Sequence, residues 1–315
     1  MRNKFINTTH IIQNIMVEII FLGTSCMQPT KKRNHPSFML SYKTENILFD
    51  CGENVQRQMR LTGIKPAKIT RLLISHWHGD HVSGLVGLIQ TMGNSDVPQE
   101  IKLFGPKGTK EHFSHLLKSC IFNNKVNVIV KEISTKEPIQ IFENCDYEIW
   151  AVDVKHSAPC IAYSFIEKDK RKVNMAKAEK LGLRSGPLVG RLQTGKSVEF
   201  KGKKISPDDV SKMVQGKKLV FILDTWPCKA CAQIADGADL LIMESCYATK
   251  LDEKADKYKH MTAQQAAQIA HQAKVKRLVL THFSQRYKTV DEIEQNARDI
   301  FPESICAFDF MKIKL

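Results

Sequence analysis

Ser75-His76-Trp77-His78-Gly79-Asp80-His81 gathers three imidazoles and one carboxylate into six consecutive positions. Arg71-Leu72-Leu73-Ile74 runs into it as a buried strand would, and Val82 to Leu88 leaves it as a helix would. Side chains repeat every second residue along a strand, so His76 and His78 are delivered to the same side. Gly79 then turns the chain and aims Asp80 and His81 at a second point. Neutral imidazole and carboxylate are good zinc ligands, and strand–turn–helix is the context a metal site requires. This stretch begins two adjacent metal sites.

Three later strands end in a further ligand type. Glu148 to Lys155 alternates and brings His156 onto the face of Trp150, Val152 and Val154. Lys218 to Leu223 delivers Asp224, and Arg277 to Thr281 delivers His282. Open α/β sheets present chemistry outside the carboxyl ends of their strands. Any one of these positions is weak evidence alone; together with the first cluster they point to one site.

The chain has 315 residues, 43% of them hydrophobic, enough for one large core or two modest ones. A net charge of +14 asks for an anionic partner, nucleic acid before an anionic membrane surface. No signal peptide or apolar run of about twenty residues is present, and no amphipathic segment supports a membrane role. Nine cysteines lack a regular framework, which points to reduced thiols and a cytoplasmic location. Cys228-Lys229-Ala230-Cys231 is an isolated CxxC, better suited to packing at a helix start than to redox chemistry or a four-ligand zinc site.

Residues 1–15 read as a loose N-terminal extension before a strand from Val17 to Phe21. Pro29 to Asn34 is a turn with the adjacent cations Lys31, Lys32 and Arg33. Strands are expected at Ser37–Tyr42, Asn46–Phe49 and Ile101–Phe104, and helices at Val55–Leu61 and Thr109–Lys118. Residues 167–218 stand apart, with fifteen Lys or Arg against six Asp or Glu. Apolar residues there look too sparse for an independent core. The segment reads as a protruding arm that grips phosphates, with a helix over Asn174–Leu181, a turn at Gly186-Pro187, a hairpin strand at Val198–Phe200 and an N-cap at Ser206.

The ligand order His76, His78, Asp80, His81, His156, Asp224, His282 resembles the metallo-β-lactamase fold superfamily of two-metal hydrolases. Closer still is a resemblance to the ribonuclease Z family within it. Gly23-Thr24-Ser25, Pro29 to Asn34, Asp50-Cys51-Gly52-Glu53, Ser75 to Leu88, Gly186-Pro187-Leu188, Thr281 to Tyr287 and the basic arm carry that likeness over Met16 to Leu315. It implies an α/β fold: an αββα sandwich of two mixed sheets flanked by helices, interrupted by a flexible tRNA-binding arm at 167–218. It implies two zinc ions per subunit, although another divalent metal would suit the donors. His76, His78 and His156 would hold one, Asp80, His81 and His282 the other, and Asp224 would bridge them.

The implied activity is endonucleolytic removal of the 3′ trailer from precursor tRNA, leaving a 3′-hydroxyl on the tRNA and a 5′-phosphate on the trailer. Asp80 would be the general base. His260 would assist the leaving group, and Glu244 would orient His260. Lys31, Arg33, Asn34, Gly186, Pro187, Ser284 and Arg286 would contact RNA. A homodimer is implied, with the arm serving the partner's active site. One departure stands out: the family's His-Glu-Ala-Thr run is Met243-Glu244-Ser245-Cys246 here, so any role of that first histidine does not transfer. A small-molecule phosphodiesterase of the same fold shares the ligands but has no need of a cationic arm. A nucleic-acid-binding protein with a structural metal would present a closed four-ligand site instead.

Overall fold

The structure, a computed structural model, describes residues 16–95 and 99–315; the expected extension at 1–15 lies outside them. Among the described residues, two seven-stranded mixed sheets pack face to face. The first runs, in spatial order, Lys312–Lys314, Glu18–Gly23, Ser37–Tyr42, Glu45–Phe49, Arg71–Leu73, Gln99–Pro106 and Val126–Ile133. The second runs Ser304–Cys306, Leu278–Thr281, Leu240–Glu244, Lys218–Ile222, Cys160–Glu167, Tyr147–Val154 and Ile139–Glu143. Each sheet is antiparallel in one half and parallel in the other.

Alternation within the strands builds three apolar layers. In Leu240–Glu244, Leu240 and Ile242 face the other sheet while Leu241 and Met243 face the helices. Between the sheets Phe49 and Phe221 stack at 3.8 Å between ring centres, so truncating Phe221 to alanine would cost about 3–5 kcal/mol. Helices Val55–Leu61, Leu85–Gly93 and Thr109–Lys118 cover the outer face of the first sheet. Helices Lys229–Ala235, Ala263–Gln272 and Asp291–Arg298 cover the second. This is the αββα sandwich expected from the sequence.

Two local expectations change. The helix after His81 is two helices, Gly79–Val82 and Leu85–Gly93. The break comes from the Gly84 N–H, which donates to the Cys51 carbonyl at 2.9 Å instead of continuing the helix. That approach leaves no room for a side chain: a Cβ at Gly84 would lie 2.1 Å from the Gly52 carbonyl oxygen. Gly186-Pro187 is not a free turn but the start of helix Pro187–Gln193, where a first-turn proline costs no hydrogen bond.

The arm leaves from strand Cys160–Glu167 and returns into Lys218–Ile222, which pair with each other. Its stalk is the two-stranded ribbon Lys170–Val173 with Ser211–Val214. Gly216 permits the exit, since a Cβ there would sit 1.7 Å from the Glu167 carbonyl oxygen. Beyond the stalk, contrary to expectation, the arm has a small core of its own. Ala178, Leu183, Val189, Leu192, Val198, Ile205 and Val210 are buried together. These apolar residues are sparse along the chain, but short elements fold back and bring them together: helix Met175–Lys180, helix Pro187–Gln193, the hairpin Val198–Phe200 with Lys203–Ile205, and the capped turn Pro207–Val210.

Candidate active site

The candidate ligands all come from strand ends. His76 to His81 follow Arg71–Leu73, His156 follows Tyr147–Val154, Asp224 follows Lys218–Ile222 and His282 follows Leu278–Thr281. His76, His78, His156 and Asp224 bring ligand atoms within 4.8 Å of one another, as do Asp80, His81 and His282. Asp224 is buried between the two sets and divides its oxygens. Oδ2 lies 3.5 Å from His76 Nε2 and 3.8 Å from His156 Nε2, while Oδ1 lies 3.4 Å from His81 Nε2 and 3.1 Å from His282 Nε2.

The framework aims these rings. Asp50 accepts from the Ser75 N–H at 2.7 Å and from the Ser75 hydroxyl at 2.7 Å, and its Oδ2 lies 2.6 Å from His81 Nδ1. That bond fixes the tautomer of His81 and points its Nε2 at Asp224. The His156 Nδ1 donates to the Lys259 carbonyl at 3.0 Å. The Met27 N–H donates to Asp80 Oδ2 at 2.8 Å. Asp50 and His282 adopt left-handed φ of 52° and 61°, a strain on the order of 1–3 kcal/mol each that the surrounding bonds hold in place.

The electrostatics call for a cation. Burial opposes charge on Asp224, yet His282, His81 and His76 hold its carboxyl well below the usual range. Burial also opposes charge on His81 and His282, but Asp224 and the neighbouring acids draw both well above the ordinary imidazole value. Burial and the nearby His81 push His76 down, so it stays neutral. His76 Nε2 and Asp224 Oδ1 are buried without a hydrogen-bond partner. Imidazole nitrogens and carboxylate oxygens turned to one centre, two of them orphaned, fit divalent metal ions, which would take the place of the protons that His81 and His282 otherwise hold.

On the rim, His260 Nδ1 lies 3.1 and 3.2 Å from the two oxygens of Glu244. Glu244 is fully buried and also accepts from the N–H groups of Thr225 at 2.6 Å and Met261 at 3.2 Å. Burial disfavours the His260 charge, but the Glu244 carboxylate outweighs it and the imidazole is pushed up to about 10. Thr262 caps helix Ala263–Gln272 with Gln265 in a capping box, which fixes His260 two residues earlier. Met243, where the family has histidine, is buried under the helices.

The expected RNA-contacting residues are dispersed. Lys31 is exposed, and Gly186 and Pro187 are exposed on the arm. The Arg33 Nη2 donates to the carbonyls of Ser284 at 3.3 Å and Tyr287 at 2.7 Å, so the guanidinium pins its loop to the strand end beyond His282. The Asn34 N–H donates to Asp309 at 2.7 Å and its amide to the Glu53 carbonyl at 2.8 Å. The Arg286 Nε donates to the Ser284 hydroxyl at 3.2 Å. Sequence reasoning assigned no part to Asp50, Met27, Lys259 or Thr225. Asp50 had a signal, a carboxylate at the end of the strand beside Arg71–Leu73; the others contribute only backbone atoms, which no motif reports.

A ribonuclease Z of Methanothermobacter thermautotrophicus is 39% identical over 301 residues, spanning 95% of this chain and 97% of the relative. The chain belongs to the ribonuclease Z family. It is an endoribonuclease, a hydrolase of phosphodiester bonds with a metal-binding active site. Human tRNase Z, short form, superposes with a TM-score of 0.70 at 26% identity, covering 94% of this chain and 98% of its own. The metallo-β-lactamase fold protein YhfI of Bacillus subtilis, 16% identical, superposes with a TM-score of 0.69 over 95% of this chain and 100% of its own. The family model for anti-Pycsar protein Apyc1 matches residues 17–171.

Proposed function

We propose that this ribonuclease Z removes the 3′ trailer of precursor tRNA, using two zinc ions, and leaves a 3′-hydroxyl on the tRNA and a 5′-phosphate on the trailer. The observation that carries the reading is Asp224 set between two histidine sets, in a chain that inserts a cationic arm between two of its ligand strands. His76, His78 and His156 would hold one ion, Asp80, His81 and His282 the second, with Asp224 between. Two such cations, when bound, neutralise phosphoryl oxygens and acidify a water. Asp80, held by the Met27 N–H, accepts the proton of the attacking water. His260, kept charged by Glu244, donates to the departing 3′-oxygen of the tRNA. The P–O3′ bond breaks as the new P–O bond forms.

The arm would grip the tRNA body through phosphates, in a homodimer where it serves the partner's site. Among the described residues no helix is long and apolar enough to cross a membrane. Beside His156 a cleft of about 820 Å³ is lined by Lys107, Lys155, Lys257, Lys259 and Trp226, a lining that suits single-stranded RNA. Incubation with a 3′-extended tRNA precursor, with mapping of both product ends, tests the reading. Cleavage at the tRNA–trailer junction that weakens steeply with salt is the expected result. Hydrolysis of small cyclic phosphodiesters without such cleavage would replace it with a small-molecule hydrolase.

A further inference from the structure

The CxxC segment has a geometry that simple packing does not require. Cys228 is half-buried at the N-cap of helix Lys229–Ala235, and Cys231 is buried one turn behind it. Their sulfurs are 3.4 Å apart, and a disulfide needs about 2.05 Å, a closure within the reach of side-chain rotation. The half-buried thiol is the one that can meet a solute; the buried one can meet only its neighbour. Close contact with Cys231 and backbone hydrogen bonds from Lys155, Cys231 and Ala230 outweigh burial and bring the Cys228 thiol down to about 5. Cys231 is pushed the other way, chiefly by its contact with Cys228 and by burial. The other close pair, Cys26 and Cys246 at 3.1 Å, is buried with both thiols pushed up, so neither is poised to react.

We propose that Cys228 and Cys231 form a dithiol–disulfide redox site, in which Cys228 attacks a low-molecular-weight disulfide and Cys231 resolves the product. The Cys228 thiolate attacks one sulfur of the external disulfide, whose other sulfur leaves as a thiolate and takes up a proton. Cys231 then loses its proton and attacks the Cys228 sulfur of the mixed disulfide, releasing the second thiol, which is protonated in turn. Two electrons pass from the protein thiols to the external disulfide, and two protons end on the released thiols. The site lies beside catalysis, because Lys155, whose backbone bonds the Cys228 sulfur, immediately precedes His156.

Full-length protein exposed to oxidised glutathione, quenched by alkylation and mapped by peptide mass spectrometry, tests this. The exposed Cys120 and Cys145 serve as reference thiols. In wild type a Cys228–Cys231 disulfide should form at least about tenfold faster than either reference thiol is glutathionylated. Cys231→Ala should stop at a stable glutathione adduct on Cys228, and Cys228→Ser should give neither species. Alkylation of Cys228 should change little between pH 6 and 8. A wild-type protein whose references react first overturns the proposal, and so does an unmodified Cys228 in Cys231→Ala. The wild-type measurement decides even if a variant misfolds.

Discussion

The metal rim and the basic arm, proposed to meet the same substrate, have opposite constructions. On the rim each side chain is fixed by a named partner: His81 by Asp50, His156 by the Lys259 carbonyl, Asp80 by the Met27 N–H, His260 by Glu244. The rim accepts backbone strain at Asp50 and His282 to achieve this. The arm holds its shape with seven buried apolar residues and leaves the lysines beyond its stalk exposed. Chemistry needs atoms placed to a fraction of an ångström, whereas grip on a phosphate backbone needs charge that follows the ligand. Damage to the rim should therefore abolish turnover on every substrate, and damage to the arm should show only with RNA.

The largest effect is expected from Asp224→Ala. On the proposed ligand assignment one carboxylate serves both sets, so metal content should fall well below two equivalents per chain. Turnover should drop on the order of 10³-fold or more for precursor tRNA and for a nitrophenyl phosphodiester alike. Elemental analysis beside both assays checks it; a fully loaded variant would show that Asp224 does not bridge.

His260→Ala should come next, losing about 10²–10⁴ in rate on precursor tRNA while keeping its metal and its RNA affinity. The loss should shrink with a nitrophenolate leaving group, which needs no proton. Glu244→Gln tests the same unit through pH. The His260 pKa is raised, so its acid form persists as pH climbs and is lost only above the raised value. Removing the Glu244 charge lowers that pKa and should move the alkaline limb of kcat to lower pH. An unmoved limb would detach Glu244 from the leaving-group proton.

Deleting 168–215 and joining the ends with a short Gly-Ser link should weaken RNA binding on the order of 10²-fold at physiological salt and flatten the salt dependence. Because the arm's core is separate from both sheets, the body should fold, bind metal and keep its activity on the small phosphodiester. Equal loss of both activities would make the arm a structural element and dissolve the contrast with the rim.

What was legible in the sequence follows the same divide. The ligands could be read because each ends an apolar strand, and strand ends in such sheets converge. The N-cap at Ser206 could be read because caps are local, and the structure adds Asp209 to it as a capping box. The core of the arm could not, since its residues are spaced irregularly and meet only through tertiary folding. Nor could the break at Gly84, which depends on the Cys51 carbonyl thirty-three positions earlier. Arg33 was legible as a cation but not as one whose hydrogen bonds go to Ser284 and Tyr287.

Arg33 carries the smallest effect and the sharpest question, because it is a cation like those of the arm built into the rim. Its two carbonyl bonds tie the Pro29–Asn34 loop to the segment after His282, and burial lowers its pKa. If it acts as a pin, Arg33→Ala frees the loop. Charge-assisted hydrogen bonds contribute about 1.5–3 kcal/mol, so the melting temperature should fall by several degrees. Turnover at saturating RNA should fall only a few-fold, with the cut site blurred, and the salt dependence of RNA affinity should stay unchanged. If Arg33 instead leaves the carbonyls to grip phosphate, stability should hold. The salt slope would then decrease by about 0.7, the increment for one phosphate contact on a single strand. Arg33→Lys separates the two further: a lysine keeps the phosphate charge but cannot reproduce the planar fork that spans two carbonyls. It should restore the salt slope in the second case and fail to restore the melting temperature in the first.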